Sequence, residues 1–167
     1  GANKWLDSAK ITPSLFQDAA MLHISGYALL EAPQSEAVLR AVRYASERNI
    51  PVSIDTGLEP VMRNKAGFRE ILPALRICIS GVEEVDQLLR AGSPKEAAEK
   101  LIAAGVGLAA IKLGRQGSLL MRKGETVRCP AFSVDVVDTT GAGDAFSAGL
   151  LYGYLQGVSL GASGMLA

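Results

Sequence analysis

The residues 138–146, Asp-Thr-Thr-Gly-Ala-Gly-Asp-Ala-Phe, combine small side chains with carboxylates in a pattern suited to binding an anion. Gly141, Ala142 and Gly143 allow backbone N–H groups to approach a ligand closely, and an apolar helix is predicted to follow them. Because the N-terminus of a helix carries partial positive charge, these residues could hold a phosphate without a cationic side chain. The run therefore predicts an anion site.

Asp144 falls in the first turn of that predicted helix, where its carboxylate would face the same anion. A carboxylate repels a bound phosphate, but it can take a proton from an attacking hydroxyl while the amides hold the transferred phosphoryl group. The alternative is a threonine-capped helix after a glycine turn, in which Asp144 only complements the helix dipole. These residues alone leave both interpretations open.

Alternating strands and helices are predicted to position this run. Short apolar segments bounded by turn residues predict four strands, at 20–24, 50–54, 75–79 and 106–112. Ser93 opens a capping box with proline at the next position, which predicts a helix start. Beyond Lys112, glycine turns indicate hairpins, and 132–137 has a strand-like pattern. The expected fold class is α/β: a Rossmann-like, mostly parallel sheet flanked by helices and ending in hairpin strands.

Composition limits the classes of partner. The 167 residues include 17 Lys and Arg against 17 Asp and Glu, so no bulk charge attracts nucleic acid or an anionic membrane. Cys78 and Cys129 cannot form a disulfide framework and are expected as small buried side chains in a reducing, cytoplasmic compartment. The uncharged stretch 145–167 contains five glycines, which favours two buried helices broken near Gly157 over a membrane span. His23, in a predicted buried strand, has no metal-ligand spacing and is expected to be structural.

The run 138–146 resembles the C-terminal signature of the ribokinase-like (PfkB) carbohydrate kinases. Further segments fit positions of that family, namely 1–3, 11–13, 23–27 and 112–117. The resemblance covers essentially the whole chain but only the later half of the family's length. It implies a single, incomplete α/β kinase core domain over residues 1–167, without the N-terminal glycine-rich sugar-binding signature, the β-sheet lid and the final helices.

The resemblance also implies roles for the residues of the anion run. Asp144 matches the family's catalytic base, and the segment Gly141–Gly143 matches its anion hole for the γ-phosphoryl group. Asp138 and Thr140 match positions that hold a monovalent cation such as K⁺ in several members.

A second implied site is the nucleotide loop, which is matched by Lys112, Leu113, Gly114 and Gly117. The two glycines would let the backbone bend close to a flat ligand. A hairpin turn without a ligand is the alternative.

A third implied site is a hydrated Mg²⁺, held in the family by an Asn-x-x-Glu motif. Glu84 matches the glutamate, and a carboxylate with retained waters suits Mg²⁺. Gly81 replaces the asparagine, and an ordinary acidic first turn of a helix is the alternative. Glu59 stands where many relatives carry a basic residue, a departure that affects contacts from the loop 55–60.

Taken together, the resemblance implies an ATP-dependent phosphotransferase that acts on a hydroxyl group of a small sugar or related polyol, with Mg²⁺ and, in some members, K⁺. The alternative is a non-catalytic or truncated nucleotide-binding remnant of the same fold, which the missing segments and the Gly81 and Glu59 departures favour. Neither a nucleic acid nor a membrane is an expected partner, and a homodimer stays open because lids mediate pairing in this family. A Rossmann oxidoreductase is disfavoured because no Gly-x-Gly-x-x-Gly follows the first strand.

Overall fold

A six-stranded sheet forms the centre of the protein in a computed structural model that describes residues 5–167. The segment 1–3, which contributed to the family resemblance, lies outside the described residues. The strands are adjacent in chain order: β1 Leu22–Ser25, β2 Val52–Asp55, β3 Ile77–Gly81, β4 Leu108–Lys112, β5 Ser118–Arg122 and β6 Glu125–Cys129. β1 to β4 are parallel, whereas β5 and β6 are antiparallel. The predicted parallel sheet with a terminal hairpin is confirmed, and strand bounds differ from the predicted ones by a few residues.

Helices cover both faces of this sheet. Their bounds are α1 Gln34–Glu47, α2 Leu58–Arg63, α3 Lys65–Ile71, α4 Val82–Leu89, α5 Pro94–Ala103, α6 Ala142–Leu155 and α7 Leu160–Leu166. One core joins helices α1 to α5 to the sheet through Ile54, Cys78 and Ala109. The other core packs α6 and α7 on the opposite face, where Ile77 and Leu150 are fully buried. Because both faces are covered, the central strands are almost continuously apolar.

Local signals explain where several helices begin and end. The Ser93 side chain accepts a hydrogen bond from the Glu96 amide at 3.2 Å, which satisfies one of the unpaired donors of the first turn of α5. Gly157, with a φ of +68°, separates α6 from α7. The predicted break in the segment 145–167 is therefore confirmed. The prediction that both helices are buried is wrong in part, because each packs only one face and leaves large apolar side chains such as Tyr152 and Leu166 exposed. Among residues 5–167, the structure contains no helix long and apolar enough to cross a membrane.

The segment 132–137 and the side chain of His23 differ from what the sequence predicts. The segment 132–137 is irregular rather than a strand, and its apolar side chains are exposed, from 52% for Val136 to 97% for Val137. Alternating hydrophobicity stabilises a strand only when one face is buried, and this segment pairs with none of the described strands. His23 lies in β1 as predicted, but its side chain is exposed. The core beneath α6 and α7 includes buried residues of β3 to β6 but none of β1, where His23 and Ser25 are exposed.

Candidate active site

The candidate site lies at the carboxyl ends of the parallel strands, the edge where open α/β sheets commonly bind ligands. Asp55 ends β2, Gly81 ends β3 and Lys112 ends β4. The strand registers align Asp55 with Ile79 and Gly81 with Lys112, so these ends lie side by side. A buried hydrogen bond of 2.8 Å between the Thr56 and Ser80 hydroxyls links the ends of β2 and β3.

An ion pair connects this edge to α6. Lys112 Nζ lies 2.6 Å from Asp55 Oδ1, and the Ser147 hydroxyl donates to Asp55 Oδ2 at 2.9 Å. By its sequence, Asp55 belongs only to a divergent loop, and Ser147 falls in no recognisable motif. The position of Asp55 at the end of an apolar strand was an available signal, but its pairing depends on strand order.

Within the predicted anion site, residues 139–142 form a turn, called the anion turn below, that leads directly into α6. Gly141 adopts a φ of +79° just before the helix, a conformation that favours glycine, and Ala142 N–H donates to Thr139 O at 3.1 Å. The first-turn amides of Gly143 and Asp144 lack acceptors within the helix, because the residues four positions earlier precede it. The turn therefore presents backbone donors and the positive end of the helix dipole, as an anion site requires.

Asp138 stabilises the same turn from its start. Its Oδ1 accepts a hydrogen bond from the Thr140 amide at 2.8 Å. This backbone hydrogen bond, together with one from the Thr140 side chain, lowers the pKa of the Asp138 carboxyl. Both residues of the predicted monovalent-cation position thus lie together, two residues apart, beside the anion turn.

Asp144 is exposed in the first turn of α6, where a substrate hydroxyl could reach it. On β1, the His23 imidazole is a titratable group close enough to Asp144 to feel its charge. Its Nδ1 shares a hydrogen bond of 2.9 Å with the Ser53 hydroxyl. Although the His23 side chain is exposed, its ring loses part of its hydration against the neighbouring strand, which lowers its pKa, while the charges of Asp55 and Asp144 oppose that shift. β1 therefore brings His23 into electrostatic range of both carboxylates.

A cleft of about 660 Å³ extends from the anion turn along the predicted nucleotide loop. Predicted site residues that line it are Lys112, Gly114, Gly117, Ala142 and Gly143. Exposed apolar side chains of the irregular segment and of the end of α7 also line it; they are Phe132, Val134, Val136 and Met165. The cleft thus combines this apolar wall with polar side chains of the loop and of the irregular segment, namely Arg115, Ser118 and Ser133.

Two members of the nucleotide loop have structural reasons for their residue type. Leu113 packs against the core on the helix α1–α5 side, and its backbone closes the loop, with its N–H donating to Gly117 O at 2.8 Å and its carbonyl accepting from the Gln116 amide at 3.1 Å. Gly117 has a φ of +84°, and a Cβ there would collide with the Cys129 carbonyl oxygen. Its glycine is therefore required by packing against the end of β6, whatever the cleft binds.

Glu84 lies in the first turn of α4, beside the end of β3. Its carboxylate folds over Gly81, where a Cβ would contact Glu84 Oε2. Within the part of the chain described, no group of three or more His, Cys, Asp or Glu side chains is arranged as a metal site. A single carboxylate fits Mg²⁺, which retains waters and binds substrate phosphates instead of requiring an all-protein cage.

Charges converge around the end of β3. Burial raises the pKa of the Cys78 thiol to about 12, and the negative charges of Asp55 and Glu84 contribute, whereas Lys112 opposes the shift. Two carboxylates, those of Asp55 and Glu84, and one ammonium group, that of Lys112, thus lie in electrostatic range of the same buried residue. A polyanionic ligand at this edge would therefore need additional cations.

Comparisons with known proteins place these features in context. A sequence model described as pfkB family carbohydrate kinase matches residues 1–167. The chain is 30% identical over 164 residues to the 5-dehydro-2-deoxygluconokinase of Bacillus subtilis (strain 168), a match that covers 93% of this chain and 50% of that protein. It spans about half the length of the curated relatives it matches.

Solved structures show the same architecture. The adenosine kinase from Sinorhizobium meliloti superposes with a TM-score of 0.87 at 28% identity, over 96% of this chain and 50% of that one. The aminoimidazole riboside kinase from Salmonella enterica, complexed with aminoimidazole riboside and an ATP analog, gives a TM-score of 0.82 at 28% identity. That match covers 99% of this chain and 58% of the kinase.

Proposed function

This chain belongs to the pfkB family of carbohydrate kinases, and on that premise we propose that it is the part of an ATP-dependent phosphotransferase that carries the base and the anion site. The observation that carries the proposal is the continuity of the cleft, which runs from the loop at Gly114 to the first turn of α6. A nucleotide lying in this cleft would direct its terminal phosphate at the amides beside Asp144.

In the proposed reaction, the Asp144 carboxylate takes the proton of a substrate hydroxyl. The hydroxyl oxygen then forms a bond to the γ-phosphorus, and the bond between that phosphorus and the β,γ-bridging oxygen breaks, which releases ADP. The amides of Gly143 and Asp144 stabilise the charge on the phosphoryl oxygens as it develops, because they point at the site before the reaction begins.

Cations would complete this site. Glu84 would hold Mg²⁺ through water, and Mg²⁺ when bound supplies charge neutralisation to the phosphates. Asp138 and Thr140 would hold a monovalent cation behind the anion turn. The excess of carboxylates around the end of β3 supports both proposals, since a nucleotide brings further negative charge to the same edge.

The proposed acceptor is a hydroxyl group of a small sugar or related polyol. The named relatives act on a deoxygluconate derivative and on ribosides by their printed names, which supports a polyhydroxylated substrate without selecting one. The balanced charge of the chain and its two buried thiols agree with the proposal of a cytoplasmic enzyme.

A non-catalytic nucleotide-binding remnant is the second candidate. Gly81 and Glu59 favour it, because these positions lack the side chains that the family motifs would supply. Calorimetry with ATP, followed by an ADP-release assay with a panel of sugars, separates the two functions. Nucleotide binding without turnover on any sugar supports the remnant.

Asp144→Asn tests the proposed base. We expect turnover to fall by at least about 10²-fold, because general base catalysis contributes about 10²–10⁴-fold, while ATP binds as tightly as before or more tightly. Asp18→Asn, at an exposed position before β1, is the matched control and should leave both quantities unchanged. Comparable turnover in Asp144→Asn and the wild type would remove Asp144 from its assigned role.

A further inference from the structure

The ion pair of Asp55 and Lys112 lies directly beneath the first turn of α6. Both carboxylate oxygens of Asp55 are engaged, Oδ1 by the ammonium group at 2.6 Å and Oδ2 by the Ser147 hydroxyl at 2.9 Å. The Asp55 and Lys112 side chains are only 18% and 26% exposed. This pair is therefore fixed to the helix that carries the anion turn.

Gly143 leaves the ammonium group accessible from the anion turn. A Cβ at position 143 would lie 3.7 Å from Lys112 Nζ, so in glycine that approach is open. Lys112 also lines the cleft. An ammonium group has three donors, and after the contact with Asp55 it retains N–H groups for a second acceptor.

We propose that Lys112 binds the terminal phosphate of a nucleoside triphosphate at the α6 anion site, and that Asp55 is the positioning residue that fixes its ammonium group there. The inference rests on the proposed function, and it adds a cationic side chain to a site otherwise built of amides. Lysine has a flexible stem that loses entropy when it is ordered. Asp55 orders it before the ligand arrives, so the ammonium group is pre-organised for the phosphoryl charge.

Calorimetry with Mg·ATP and Mg·ADP tests this assignment, because the two ligands differ by the terminal phosphate. In Lys112→Met we expect ATP affinity to fall about 10- to 100-fold, the scale of one charge-assisted hydrogen bond, while ADP affinity changes less than about threefold. Lys123→Met removes an exposed lysine from the β5–β6 turn and should change neither affinity.

The double variant Asp55→Asn/Lys112→Met separates phosphate binding from a merely structural role. Lys112→Met alone removes the ammonium partner of Asp55 and leaves a largely buried carboxylate that keeps its hydrogen bond from Ser147. An uncompensated charge of this kind destabilises the protein. The double variant should recover the melting temperature but not the lost preference for ATP over ADP. Asp55→Asn alone keeps an acceptor for Ser147 and should reduce that preference by a smaller factor than Lys112→Met.

The outcomes distinguish this inference from the proposed function. A wild-type chain that binds neither nucleotide overturns the proposed function, and the inference falls with it. A wild-type chain that binds both, with variants that weaken ATP and ADP equally, overturns only the assignment of Lys112 to the terminal phosphate. Recovery of the ATP preference in the double variant overturns it as well.

Discussion

Substitution of Gly143 by alanine should raise stability and weaken function at the same time. Gly143 belongs to α6, and an added Cβ would lie 3.7 Å from Lys112 Nζ and 3.8 Å from Asp55 Oδ2. Both distances are ordinary van der Waals contacts, so the methyl group fits without displacing either side chain. Because glycine costs a helix interior about 0.5–1 kcal/mol relative to alanine, Gly143→Ala should gain up to about that free energy of unfolding, and less so close to the helix start.

The same methyl group would stand between the anion turn and the ammonium group of Lys112. If a phosphate contacts both, the methyl group excludes the charge-assisted hydrogen bond, and ATP affinity should fall about 10- to 100-fold. Thermal or denaturant unfolding gives the stability, and calorimetry with Mg·ATP gives the affinity. The free energy of unfolding should rise in this variant, whereas its affinity for ATP should fall.

Gly153→Ala on the same helix is the matched control. A Cβ at position 153 would lie 2.8 Å from the Ser163 Cα of α7, so the two helices must move apart. Overpacking of this kind costs about 1–3 kcal/mol, and because it places no group beside Lys112, ATP affinity should fall much less than in Gly143→Ala. If Gly143→Ala binds ATP as tightly as the wild type, the anion does not pass over Gly143, and the reasoning is refuted. Loss of stability in Gly143→Ala would show that the methyl group does not fit beside Lys112 and Asp55.

Two other predictions concern Mg²⁺ and the buried thiol. Glu84→Gln should raise by several-fold the Mg²⁺ concentration needed for half-maximal ATP binding, whereas the neighbouring Glu83→Gln should not; identical Mg²⁺ titrations of the two variants would contradict the assignment. Cys78 should resist alkylation by iodoacetamide at pH 8 in the native protein and react after denaturation, because burial raises the pKa of its thiol from 9.0 to about 12. Since the folded-state pKa is the higher one, the contribution of this thiol to stability is complete below about pH 9 and is lost as the pH rises toward 12. The unfolding free energy of Cys78→Ala should therefore depend less on pH in that range, and a profile parallel to the wild type would contradict the shift.

The fold was largely predictable because its signals are local. Apolar segments and the capping box at Ser93 depend on neighbours within a few positions, and the strands and the start of α5 appear where those signals indicate. The segment 132–137 has an equally regular alternation and forms no strand. Alternation predicts a strand only when another layer covers one face, and no local pattern shows whether that layer is present.

The anion turn at Gly141 and the base candidate Asp144 were likewise evident from contiguous residues. The roles of their neighbours were not. Gly117 was interpreted as a ligand-facing glycine, whereas the backbone of Cys129, twelve positions later, accounts for it. Leu113 fits the nucleotide loop by position, but its side chain packs into the core.

The sequence by itself determined the α/β architecture and the small-residue turn before α6, since both follow from spacing along the chain. Only the tertiary structure decided that Asp55 meets Lys112 and Ser147, which are 57 and 92 positions away. That meeting depends on the order of β2, β3 and β4 in the sheet and on how α6 packs across their ends. The physical reason is that chain periodicity sets which face a side chain occupies, whereas packing between distant elements sets which charges become neighbours.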